Sequence, residues 1–175
     1  SIRYERLVQL FILMQETSKP LTIDQDGKWN TVPSVADDKL RNINCHKFTL
    51  YVMCKISWEE MLADNDKIYG AEARAISDIQ FIQINDLTSL LKFASESCKI
   101  GEFYVAQILD ANTDEMAHSF ILKQESINNF ICYEKQGFKY PFTVHNLKTI
   151  LDFVNKDGVR SYENQKWRFV PFNLL

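Results

Sequence analysis

The chain has 175 residues, of which 46% are hydrophobic and 13% aromatic, with only five glycines and four prolines. That composition supplies one ordinary core, is short for two, and excludes a disordered or linker-rich polypeptide. The formal net charge is -3, and lysines and arginines are scattered among acids instead of forming a basic stripe, which argues against nucleic acid as a partner.

The expected organisation is a single domain, 1–175, with an N-terminal helix and loop region over 1–38 and a core over 39–175. Near the start, an apolar run over residues 7–14 is interrupted by Gln9 and preceded by Arg3, Glu5 and Arg6. A bilayer span needs roughly 20 apolar residues, and no small-residue cleavage site follows the run. It therefore predicts a helix packed on a soluble domain, with no membrane span and no recognisable signal peptide. Cytoplasmic, secreted and host-delivered settings are all compatible with it.

Residues 18–38 collect Pro20, Gly27 and Pro33 and predict a loop, with a short strand over 28–32. In "DDKLRNINCHKFTLYVMCKISWEEML", Phe48, Leu50, Met53 and Ile56 predict a helix buried on more than one side. Asn42 or Asn44 can cap it by accepting from a first-turn amide. Cys45 then falls in the first turn and Cys54 in the buried body. Further on, "DNDKIYG" fails as a calcium loop, because one beginning at Asp64 needs glycine where Tyr69 stands. "NDLTSLLKFASESCKIG" predicts a helix capped by Asn85 or Asp86, with Leu87, Leu90, Leu91 and Phe93 facing inward and Gly101 ending it.

From Glu102 the period changes. "EFYVAQIL", "HSFIL" and "NFICYEK" predict three strands of a meander; Thr143 is expected to cap a late helix over 143–156, and "QKWRFVPF" to form a last strand. Helices first and a mainly antiparallel sheet second give an α+β fold.

The four cysteines, Cys45, Cys54, Cys98 and Cys132, form no C-x-x-C pair, and free thiols are expected. Helix N-termini and nearby imidazolium groups lower a thiol's pKa, which singles out Cys45. Among the histidines, His46 should project about 100° away around the helix, and His145, in the first turn of the late helix, needs only a surface or packing role. His118 opens a strand and is the best base. A hairpin turn centred near Ser126 would set Glu134 directly opposite His118 on the same face, where a carboxylate can orient the imidazole. A metal set of Cys45, His46 and His118 is disfavoured because adjacent ligands on one turn diverge.

In order and residue type, "NCHKF", "AHSFIL" and "ICYEKQGFKYPF" resemble the papain-like cysteine hydrolase superfamily in its broad sense, which includes NlpC/P60-like and transglutaminase-like enzymes and bacterial effector proteases and deamidases. The resemblance covers roughly residues 40 to 172. It implies a papain-like core, with Cys45 as nucleophile, His118 as base and Glu134 as third residue, no cofactor, and a protein or peptide substrate. The sequence departs from the C-G-S-C-W and D-C-S-G signatures and lacks an upstream glutamine, so Asn42 or Asn44 is expected to join the Cys45 N–H in an oxyanion hole. The implied activity is a thiol-dependent hydrolase or acyl transferase acting on a peptide, isopeptide or amide bond. The competing expectation is a non-catalytic interaction domain that presents Phe138, Tyr140 and Phe142 to a partner.

Overall fold

In the computed structural model, residues 1–17, 38–64, 78–138, 142–150, 152 and 165–175 are described. The expected strand over 28–32, most of "DNDKIYG", and Tyr140 lie outside them. Strand-forming sequence dominates the second half of the chain. Strands β1 (Ile82–Ile84), β2 (Phe103–Leu109), β3 (Met116–Ser126), β4 (Asn129–Lys135), β5 (Phe142–Leu147) and β6 (Lys166–Pro171) form one antiparallel sheet ordered β1-β6-β2-β3-β4-β5. With helices on it, the architecture is α+β. Among the described residues, no helix is long and apolar enough to cross a membrane.

Side-chain alternation gives the sheet two buried faces. One carries Val105, Ile121 and Val170 and meets Leu7 and Leu10 of helix α1 (Ile2–Thr17) and Phe48 and Val52 of helix α2 (Cys45–Val52). The other carries Ala106, Phe120, Leu122, Cys132 and Phe169 and meets Leu90 and Phe93. Each such side chain, fully buried, contributes about 1.5–3 kcal/mol, so the sheet is held from both sides.

The expected long helix is two. At Cys54 the backbone turns left-handed, with φ 65°, while Cys54 N–H bonds Tyr51 O at 3.0 Å and Lys55 N–H bonds Leu50 O at 2.9 Å. This Schellman arrangement closes α2, so Cys54 is a half-buried terminal residue and not part of a helix body. Ser57 then starts helix α3 (Trp58–Leu62) with a reciprocal capping box to Glu60.

Helix α4 (Leu87–Lys92) starts at Asp86, whose carboxylate accepts from Ser89 N–H at 2.7 Å. It widens into a π turn over Phe93–Ser97, before Gly101 at φ 86°. Leu90 and Phe93 take the inward positions, and Leu91 is left exposed instead of facing inward.

The start of the late helix is a second correction, while residues 150 and 152 are helical and 151 and 153–156 lie outside the described residues. Residues 142–147 pair with β4 from Lys135↔Phe142 to Phe130↔Leu147. Thr143 and Val144 are β-branched, and the alternating burial of Thr143, His145 and Leu147 follows a period of two, which a strand edge beside β4 rewards and a helix would not.

Candidate active site

Cys45 is the first residue of α2, and its position is fixed from both ends of the local backbone. Asn44 is the N-cap, its Oδ1 accepting from Lys47 N–H at 2.9 Å. Ser119 Oγ, from β3, donates to Cys45 O at 3.0 Å, and Thr49 Oγ1 lies 3.0 Å from the same hydroxyl. Helix and sheet are thus pinned together directly beside the thiol.

All four cysteines are free, and their surroundings divide them. Burial pushes the Cys98 thiol up to about 12. Burial also acts upward on Cys45, but hydrogen bonds from His118 and His46, and the charge of both rings, outweigh it and hold this thiol well below its usual range. A buried thiolate flanked by imidazoles is a strong nucleophile, while a buried neutral thiol such as Cys98 is inert.

His118 Nε2 lies 3.1 Å from Glu134 Oε2, with both residues buried. A carboxylate accepts only, so Nε2 carries the proton and Nδ1 is left to face the thiol. The second carboxylate oxygen accepts from Gln136 Nε2 at 3.3 Å. Cys45, His118 and Glu134 are therefore brought into one chain of contacts. The register that achieves this is not the one expected. Gln124↔Phe130 and Ile121↔Tyr133 place the hairpin two residues out of the predicted pairing, so Glu134 continues opposite Phe120 and reaches His118 diagonally. A shift of two preserves the face.

The structure gives each of the two asparagines a structural contact. Asn42 Nδ2 donates to Leu62 O at 2.9 Å, and Asn44 Oδ1 accepts from Lys47 N–H in the cap, which engages its acceptor and not its Nδ2 donor. Among the described residues, the backbone N–H groups of Cys45 and His46 take no acceptor, which leaves main-chain amides at the helix start as the donors closest in sequence to the sulfur.

Four residues at the site were given no role by the sequence. His46 does reach the thiol, because first-turn side chains all lean back toward the helix N-terminus; its Nδ1 also lies 3.1 Å from Ser119 Oγ. Ser119 follows His118 and points to the opposite side of β3. His145, placed on a helix by the sequence, is buried on β5, 3.0 Å from Thr143 Oγ1 and 3.6 Å from Glu134 Oε1. Burial lowers it to about 3, so this contact is between a neutral ring and a carboxylate and is not an ion pair. Lys135 is buried beneath the ring of Phe142, donating to Gly137 O at 2.5 Å and Phe138 O at 3.3 Å. Burial lowers it to about 7, against the opposing pull of Cys45. The period-two pattern of Thr143, His145 and Leu147 was the available signal for His145; nothing local marks Lys135.

Among the described residues, no group of three histidines, cysteines or carboxylates is arranged to hold a metal ion. No protein-family model, curated protein or solved structure matches this chain.

Proposed function

We propose that the chain is a thiol-dependent hydrolase or acyl transferase, of the papain-like type in the broad sense, acting on a peptide, isopeptide or amide bond. The observation that carries this reading is the Cys45 thiol, hydrogen-bonded to His118 and held well below its usual pKa while buried, with the far side of that imidazole on Glu134 at 3.1 Å.

Chemically, the Cys45 thiolate attacks a carbonyl carbon, and the developing oxyanion takes the Cys45 backbone N–H. Collapse of the tetrahedral intermediate breaks the bond to the leaving amine, which takes the proton held by His118. The resulting thioester is attacked by water or by a second amine, whose proton passes to His118, and the thiolate is released. Glu134 fixes the tautomer and stabilises the charged ring throughout.

The test is labelling with an acyloxymethyl ketone probe, read by intact mass, on wild type and Cys45→Ala. Stoichiometric, single-site labelling that is lost in Cys45→Ala and strongly slowed in His118→Ala supports the reading. Equal slow labelling of all four cysteines would instead make the chain a non-catalytic interaction domain.

A further inference from the structure

One row of side chains runs across the helix-packed face at the level of Cys45. Ser119 on β3 pairs with Gln107 on β2, Gln107 with Arg168 on β6, and Arg168 with Gln83 on β1. Directly paired residues share a face, so these four make a polar track through a surface otherwise built of Val105, Ile121 and Val170. Exposure is graded along it: Gln83 is open, Arg168 half-buried, Gln107 and Ser119 buried. The buried end is the hydroxyl that holds Cys45 O.

The cation in this track is held by neutral groups. Arg168 Nε donates to Gln107 Oε1 at 2.5 Å, and the guanidinium lies 4.4 Å from the centroid of the Phe81 ring. Among the described residues, no carboxylate pairs with it. A partly desolvated guanidinium gains from a counter-charge, and its planar N–H donors form a fork suited to a carboxylate.

We propose that Arg168 is the specificity residue of the Cys45 site and binds a carboxylate of the substrate, with Gln107 and Phe81 holding the guanidinium in place. Two strand spacings separate Ser119 from Arg168, about 10 Å. An extended peptide advances about 3.3 Å per residue, so the carboxylate lies about three residues from the bond attacked by Cys45. The substrate class is thus an acidic peptide, and the inference rests on the thiol reading above.

The probes are chloroacetyl-Gly-Gly-Glu-amide and its Gln twin, with chloroacetyl-Gly-Gly-Ala as free acid and as amide to separate an acidic side chain from a chain terminus. Whichever acid is recognised should alkylate Cys45 about tenfold faster than its neutral twin. That preference, with each rate divided by the same variant's iodoacetamide rate, should collapse in Arg168→Gln and persist in part in Arg168→Lys. Equal rates for both acid and neutral pairs, or a preference retained in Arg168→Gln, overturn the proposal. Plain acetyl versions of the same peptides, titrated onto Cys45→Ala by calorimetry, read Arg168 without the thiol. An acid preference there with an unreactive Cys45 would sink the catalytic reading alone, and no acid preference would sink the Arg168 site.

Discussion

Glu134 reaches His118 along a diagonal of the β3–β4 ladder, with Oε2 3.1 Å from Nε2, while the position directly across the ladder from Glu134 falls to Phe120. The Phe120 ring itself stacks on His118, centroids 5.9 Å apart and planes at 21°. The imidazole is therefore fixed by a carboxylate at its edge and an aromatic ring on its face. Its freedom to rotate is small, which is what a base with one assigned proton position requires.

Glu134→Gln keeps the shape of the side chain and removes its charge. The imidazolium of His118 then loses its stabilising partner, and less of Cys45 is held as thiolate. Alkylation by iodoacetamide at neutral pH should slow by about 10- to 100-fold, the range of a lost charge-assisted hydrogen bond. Circular dichroism should show a folded protein, and an unchanged rate would remove Glu134 from the site.

Two of the buried thiols, Cys45 and Cys98, should part company in a pH series. Cys45 is held well below the ordinary thiol range and Cys98 is pushed up to about 12. Mass-resolved alkylation in the native state should therefore modify Cys45 at mildly acidic pH and leave Cys98 untouched even at pH 9. In His118→Ala the Cys45 profile should move upward, because the imidazole that hydrogen-bonds the thiolate is gone.

Much of this was legible in the sequence, and the misses have two causes. Asn44, Cys45, His118 and the strand character of β2, β3, β4 and β6 follow from local pattern, since caps and period-two alternation are written in neighbouring residues. The break at Cys54 and the offset of the hairpin are local but rest on backbone geometry, a left-handed φ and a register shift at the turn, that no residue type marks, and the strand at Phe142–Leu147 is decided by its pairing with β4. "TVHNLKTIL" contains apolar residues that suit a helix as well as a strand, and the open edge of β4 settles the matter. The roles of Ser119 and His145 exist only once strands and helices are stacked, because each meets a residue on another element, Cys45 and Glu134 respectively.

Asn44→Ala tests the cap. Loss of the Oδ1 contact to Lys47 N–H should cost about 1 kcal/mol in denaturant unfolding. The same change should slow Cys45 alkylation, because the frayed first turn no longer fixes the sulfur against His118. A stability loss with full thiol reactivity would confine Asn44 to a structural part.

Lys135 and His145 give the protein opposed pH sensitivities to those of an ordinary ion pair. His145 falls from 6.5 to about 3 on folding, so between these values the unfolded chain binds more protons. Its contribution is fully present above pH 6.5 and is lost as pH falls toward 3, by about 1.4 kcal/mol per unit. Lys135 falls from 10.5 to about 7, and by the same linkage stability rises with pH from about 7 upward, before the tyrosines titrate. Both side chains are essentially inaccessible to water, so solvent does not screen either effect away. Lys135→Met, which keeps the buried stem and removes the amine, should flatten unfolding free energy between pH 7 and 9. His145→Gln should flatten it between pH 4 and 6 without altering the upper window. Urea titrations at each pH, compared by midpoint at constant slope, separate the two; a Lys135→Met curve that still climbs between pH 7 and 9 would mean the lysine stays charged in the fold.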